Sequence, residues 1–368
     1  MILTDVAIIG GGLSGLYLAS QLEAAGVDYR LIEARSRFGG RILCADANHP
    51  AEHLRGYDLG PSWFWQGQPR IASLIKSAGL TSYAQYSQGD LVFEEAGQIR
   101  HLNFSTMEGA LRVEQGMGGL ISFLLSKLNA DKLMPGEAVG NIRQLANSDS
   151  GFNWQLTLNN SESEQTQLAA KAVVLAVPPR VVDEVIHFEP ALPVYVRQSL
   201  QSIPTWMGRF TKVIAEYETP FWRDMQLSGD AISRTGPLQE IHDATLAGST
   251  TGALFGFMQQ LPRNTDPQIL RQQVTEQLTR LFGPMAAKPV NVWLQNWSAE
   301  KYSATSEDWR ENLTGHPQYS MPANLEGLSE QGLLFISTEM SHYAGGLIEG
   351  ALEAADTGLS RLKILGLV

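Results

Sequence analysis

The sequence predicts an α/β protein in which a parallel-sheet domain is interrupted by a second, smaller domain. Three short apolar runs predict it: residues 5–9 (DVAII), 172–177 (AVVLAV) and 332–337 (GLLFIS). Each is nearly continuous in apolar residues and is stopped by glycine, proline or a polar loop, which suits strands buried on both faces. Between them the pattern changes to amphipathic strands near 209–217 and 251–258 and a helix from Pro267 to Phe282. Buried-strand pieces at both ends and in the middle suit one interleaved domain better than two consecutive ones.

Taken in order, the first run ends in Gly10–Gly12. A helical pattern follows, with Leu13, Leu16, Tyr17 and Ala19 on one face, ending near Gly26. Residues 29–32 then read as a second strand that ends in Glu33. Strand, glycine turn, helix and strand within about 30 residues make a βαβ unit. Gly10, Gly12 and Gly15 fit the G-x-G-x-x-G spacing of a Rossmann-like dinucleotide site. The first glycine permits the turn, the second admits a pyrophosphate, and the third lets the helix pack closely while its N-terminus faces the anion. With Leu13 and Ser14 opening that helix, Gly10 to Gly15 are candidate cofactor contacts. Glu33 follows Gly15 by 18 residues, close to the ~20 of a ribose-binding carboxylate. The alternative is a plain turn with a solvated glutamate. The motif alone leaves FAD and NAD both open.

Farther along, 159–167 (NNSESEQTQ) reads as a hairpin tip, and a last helix runs from Leu347 to about Ile364. A chain of 368 residues has length for about two and a half domains and a large core. The formal charge of −11 argues against a nucleic-acid partner. One cysteine, Cys44, excludes a disulfide scaffold or thiolate-rich zinc site and suits a reducing cytoplasm. The opening residues (MILTDVAIIGGG) show no basic region or cleavage site, so no secretory signal is expected, and no apolar stretch reaches the ~18 residues of a membrane span.

Residues 33–41 (EARSRFGGR), which include Ala34, Arg35 and Arg37, resemble the E-A-R-x-R-x-G-G-R continuation of the flavin-containing amine oxidase superfamily. Gly39 and Gly40 can let the chain pass close to a cofactor, and Arg41 can set a charge beside its diphosphate. The resemblance extends over most of the chain, which looks monoamine oxidase-like. Residues 58–63 (DLGPSW), holding Gly60, Pro61, Ser62 and Trp63, are similar to the loop that runs beneath the flavin. Gln115–Leu120 resembles the start of a flavin-domain helix, Val139 lies where a strand meets adenine, and 172–179 resembles the strand and double proline near the cofactor. Lys212, ahead of 219–222 (TPFW), matches the lysine strand, and Trp297 and Tyr302-Ser303 match N-W…Y-S. Thr338-Glu339 and 346–351 (GLIEGA), with Leu347 and Ile348, match T-E…G-x-x-E-G-A at the flavin pyrimidine edge.

The resemblance implies a Rossmann-like FAD-binding domain over 1–70, 115–190 and 298–368, interleaved with a smaller α+β substrate domain over 71–114 and 191–297. It implies hydride transfer from the carbon beside an amine nitrogen to flavin N5, reoxidation by O2 and release of H2O2. Lys212 would act near N5; by itself it reads as a strand lysine paired with Glu216 or Glu218. Trp63 and Trp297 would touch flavin or substrate, or else be core aromatics.

The sequence departs from the family in three places. No cysteine follows Tyr302 over 303–307 (SATSE), so the FAD is expected to be non-covalent. The two cage tyrosines correspond to Glu307 and Leu347, so a cage is absent or rebuilt from Trp63, Trp65, Trp297 and Tyr343. Only about 45 residues separate Arg70 from Gln115, a trimmed cap. His342 is either a base or a structural histidine. A small amine and O2 are the expected partners, with homo-oligomerisation left open. The competing expectations are a renalase-type or desaturase-like flavoenzyme, or a catalytically reduced FAD-binding accessory protein.

Overall fold

The protein is described from a computed structural model that covers all residues except 50–52, 146–150, 161–164, 259–264 and 311–314. Its contacts divide it into two units. The first comprises Met1–Arg41, Leu120–Gly208 and Lys301–Val368; the second comprises Ile42–Gly119 and Arg209–Glu300.

Among the described residues, the first unit is built on an eight-stranded sheet. Ile2–Ile9 lies parallel between Tyr29–Glu33 and Gln165–Leu175, and Leu333–Phe335 pairs parallel with the latter. Residues 6–9 and 168–175 are buried almost without interruption, which is why an apolar run rather than an alternating one encodes them. The strand expected at 172–177 starts earlier and ends at Leu175. Its polar first half pairs antiparallel with Trp154–Asn159, a register that composition does not announce. The tip between them lies partly outside the described residues. Helix Leu13–Ala24 packs on helix Ile348–Ile364, where Gln21 Nε2 donates to Asp356 Oδ1 at 3.1 Å.

Among the described residues, the second unit carries a seven-stranded sheet, in the order Asn291–Asn296, Thr211–Tyr217, Gly252–Met258, Leu238–Asp243, Leu227–Ser233, Asp90–Glu95, Gln98–Leu102. Helix Pro267–Phe282 begins where the Asp266 carboxylate accepts the Gln268 N–H at 2.8 Å and Pro267 takes the first turn. It ends at Gly283, whose φ of 85° an L side chain would resist. Its Leu270, Val274, Leu278 and Leu281 are buried against Val213, Ala215 and Leu254 of the sheet. Each such side chain contributes about 1.5–3 kcal/mol by leaving water. No helix among the described residues is long and apolar enough to cross a membrane.

These divisions differ from the boundaries the resemblance implies at two long segments, and at 115–119 and 298–300, which also pack in the second unit. Residues 42–70 pack in the second unit, because Cys44–Ala45 pairs with Tyr57–Asp58 and Leu43, Tyr57 and Leu59 cluster with Ile214, Phe255 and Trp297. Residues 191–208 pack in the first, through Val196, Leu200 and Ile203. Both choices depend on long-range contacts that composition does not encode.

Candidate functional site

In the first unit, the turn after Ile2–Ile9 makes a backbone cradle. A Cβ on Gly15 would lie 2.1 Å from the Gly10 carbonyl oxygen, so only glycine lets the helix start this close to the strand. At Gly12 a Cβ would meet only the Gly40 Cα, at 3.9 Å. Gly12 is the N-cap of helix Leu13–Ala24, and no side chain caps that end, which leaves its N–H groups and dipole for an anion. Beside it, Glu33 is buried; its Oε2 accepts the Gly11 N–H at 2.8 Å and its Oε1 the Arg35 N–H at 2.9 Å. A carboxylate oxygen has two lone pairs, so both oxygens can still accept ribose hydroxyls. Ala34 is half-buried, and the Arg35 guanidinium donates to Ser303 Oγ at 2.9 Å, over the Tyr302 ring. Val139 is buried near this end of the sheet, with Ile9 and Ile32 in its cluster. The open glycine, the uncapped helix and the acid at the strand end fit a dinucleotide.

Gly40 continues the cradle with a φ of +58°, and its Cβ would stand 3.1 Å from the Gly12 Cα. Arg41 follows, and its guanidinium is engaged by Glu339 through two hydrogen bonds, at 2.6 and 3.1 Å. Burial works against the Arg41 charge and Glu339 outweighs it, so its pKa is raised. Leu347 caps helix Ile348–Ile364, again without a side-chain cap, and its carbonyl accepts from Thr338 Oγ1 at 2.6 Å. Ile348 is buried.

The second unit holds the lysine. Strand Thr211–Tyr217 places the Lys212 side chain on the face shared with Phe255 and Phe257, its neighbours on strand Gly252–Met258. Its Nζ donates to the Gly60 carbonyl at 2.8 Å and to Ser62 Oγ at 2.5 Å. The ammonium lies 4.3 Å from the Phe255 ring centre and 5.7 Å from those of Trp63 and Phe257. Burial lowers the Lys212 pKa from 10.5 to about 7; Asp58 opposes the fall and Arg112 adds to it. Neither Glu216 nor Glu218 pairs with it; Glu216 accepts instead from Tyr57 and Asn291. Pro61 is half-buried between the two lysine acceptors.

Trp63 is held in place: its indole N–H donates to Gln85 Oε1 at 2.9 Å, and Gln85 donates onward to the Asp243 carbonyl. Its ring meets the buried His242 edge-on at 5.3 Å. His242 is clamped between Asp230 and Glu240; burial lowers its pKa, and these hydrogen bonds reverse that to leave it raised. Trp297 is a core residue whose indole N–H donates to the Leu59 carbonyl at 2.9 Å, so it braces the loop that grips Lys212. Trp65 and Tyr343 are exposed, and His342 is a surface residue against Tyr343. Sequence reasoning missed Arg112, Gln85 and His242. Arg112 and His242 are single polar residues in ordinary strands and Gln85 follows the end of one; none carries a spacing signal, and only the fold brings each beside Lys212 or Trp63.

Residues 90–357 match the family described as flavin containing amine oxidoreductase, and residues 8–78 match the NAD(P)-binding Rossmann-like domain. A probable flavin-containing monoamine oxidase A of Dictyostelium discoideum is 24% identical, covering 96% of each chain. That alignment spans 455 positions against 368 residues here, so the relative carries insertions within the matched span. Among solved structures, a putrescine oxidase variant superposes with a TM-score of 0.78 at 20% identity, covering 98% of this chain and 99% of that one. Cyclohexylamine oxidase from Brevibacterium oxydans gives 0.78 at 20%, covering 99% of each.

Proposed function

The chain belongs to the flavin containing amine oxidoreductases, and from that premise we propose that it oxidises a C–N bond of a small primary or secondary amine, with non-covalent FAD and dioxygen as electron acceptor. Membership makes it an oxidoreductase with a flavin cofactor; the substrate, the acceptor and the mode of attachment are the further steps. When bound, FAD would supply the redox chemistry: a hydride from the carbon beside the amine nitrogen and a proton from that nitrogen would leave an imine, and together reduce O2 to H2O2.

The chain's own residues bind and orient. The Gly10–Gly15 turn takes the diphosphate on backbone N–H groups, with Leu13 and Ser14 at the helix start, and Glu33 accepts ribose hydroxyls. Arg35 and Arg41 add fixed positive charge, Val139 supplies an apolar contact for adenine, and Glu339 fixes Arg41. The uncapped helix start at Leu347 and Ile348 offers N–H donors to an electron-rich ring edge. Gly60, Pro61 and Ser62 orient Lys212, which holds a proton at Nζ for the return of electrons to oxygen. Trp63 walls that position, and Trp297 steadies it through Leu59.

The observation that carries this reading is a lysine buried beneath three aromatic rings, with its Nζ oriented by two acceptors and a pKa of about 7. Such a group is tuned for proton work near neutrality, which a surface strand lysine is not. Non-covalent attachment is supported by Cys44, which is buried and has its thiol pushed well up by burial. Cys44 also suits a cytoplasmic setting.

One observation favours a second reading, a renalase-type or desaturase-like flavoenzyme or a catalytically reduced FAD-binding accessory protein. At the two cage positions, Glu307 is exposed and ion-paired with Arg310, and Leu347 caps a helix. Anaerobic titration of the flavin colour against amines and reduced nicotinamides decides. Bleaching by an amine, with colour and H2O2 returning in air, is expected. Bleaching by nicotinamides alone would select the renalase-type reading, and no bleaching at all the accessory one.

A further inference from the structure

The loop that grips Lys212 begins at a buried acid. Asp58 closes the short strand Tyr57–Asp58 opposite Cys44 and is 2% exposed. Its Oδ1 accepts the Met117 N–H at 2.8 Å and faces the Cys44 Sγ at 3.4 Å. Its Oδ2 is sealed from solvent and has no partner among the described residues. Two and four residues on, Gly60 and Ser62 supply the oxygens that hold the Lys212 ammonium.

Arg112 is buried as deeply. It donates from Nη1 to the Thr245 carbonyl at 3.2 Å, and its Nε is likewise without a partner. Leaving such atoms without a partner is costly in a protein interior. Both charges also act on the buried lysine through space. In a low-dielectric interior the Asp58 anion favours the Lys212 ammonium, and the Arg112 cation opposes it. Burial pushes the Asp58 carboxyl up, and Arg112 and then Lys212 offset part of that, leaving it raised above the ordinary carboxylate range. The Cys44 thiol next to Asp58 is pushed well up by burial and stays neutral. Across the sheet Lys212 faces Phe257 and Gln295, neither of which titrates.

We propose that Asp58 is a positioning residue for Lys212: it anchors the loop whose Gly60 and Ser62 oxygens orient the ammonium, and its buried carboxylate is the counter-charge to that ammonium. The consequence for flavin reoxidation rests on the role assigned to Lys212 above; the charge relationship can be read without turnover.

The test reads Lys212 directly. In oxidised holoenzyme carrying 13C at lysine Cε, the signal missing from Lys212→Met belongs to Lys212, and its midpoint is expected near pH 7. Asp58→Asn keeps the shape, removes the charge, and is expected to lower that midpoint by about one pH unit or more. Arg112→Met is expected to raise it by about as much. General loosening of the site would admit water and raise both. An unchanged midpoint in Asp58→Asn, or movement of both variants in one direction, overturns the proposal. Asp58→Glu restores the charge and should restore the wild-type midpoint. Where Asp58→Asn does not fold, Arg112→Met decides, because an unopposed Asp58 anion must carry the midpoint upward and a midpoint at or below the wild-type value overturns the proposal. If the midpoints move as expected while Lys212→Met reoxidises its flavin at the wild-type rate, the assigned role of Lys212 fails and its relation to Asp58 stands.

Discussion

Arg41 and Glu339, 298 residues apart in sequence, form a bidentate ion pair in the first unit, with Nη1–Oε1 at 2.6 Å and Nη2–Oε2 at 3.1 Å. The Glu339 carboxylate is fully buried, while the Arg41 side chain is a quarter exposed. Removing the arginine therefore strands a charge that water cannot reach. Arg41→Met should cost about 3–5 kcal/mol of stability, and Glu339→Gln, which leaves a hydrogen-bonding amide, about 1–2 kcal/mol. The double variant should lose less than the sum, since the stranded charge is then absent. Urea unfolding of all four proteins measures this, and strict additivity would show that the pair does not act as a unit.

Glu33 ties the glycine turn to the next strand by accepting from Gly11 and Arg35. If it also receives ribose hydroxyls, Glu33→Ala should weaken FAD binding by about 1–3 kcal/mol, or roughly five- to 150-fold. Glu33→Gln, which retains an acceptor, should lose less. Flavin fluorescence on dilution reports the released cofactor, and wild-type retention in Glu33→Ala would remove the residue from the site.

The parts of the fold legible in the sequence are those whose signals are local. Helix Pro267–Phe282 is written in Asp266, Pro267, the apolar residues 270, 274, 278 and 281, and Gly283. The βαβ unit is written in two apolar runs and a glycine turn. Strand Gln165–Leu175 was legible only where it is apolar, because its polar half is fixed by antiparallel pairing to Trp154–Asn159. The same divide separates the site residues. Gly10 to Gly15 and Glu33 lie within one motif, whereas Asp58, Arg112 and Lys212 converge only through the fold; Asp58 and Lys212 stand out in sequence by family resemblance alone, and Arg112 by nothing. Segments 42–70 and 191–208 pack in other units than the resemblance implies, for the same reason.

Acid precipitation tests the attachment of the flavin. The 302–307 segment offers no thiol, and the Cys44 thiol is buried against Asp58. All yellow colour should therefore pass to the supernatant, and colour kept in the washed pellet would require a covalent link through another side chain.

Lys212 makes two linked predictions that share one titration. In the folded chain it releases its proton near pH 7, whereas an ordinary lysine does so at 10.5. Between those values the unfolded chain binds the additional proton, so the contribution of Lys212 to stability rises with pH across that window. Below pH 7 the residue is both charged and buried, and its cost is greatest. Lys212→Met should accordingly stabilise the protein at pH 6, by a margin that shrinks steadily toward pH 10 in urea unfolding. The ammonium form should also be the one that assists the return of electrons to oxygen. Wild-type flavin reoxidation should then slow as pH rises through about 7, and Lys212→Met should be slow and flat over the same range while anaerobic reduction changes little. A constant stability margin would place the lysine proton outside this window, and equal slowing of both half-reactions would make Lys212 a general support of the site.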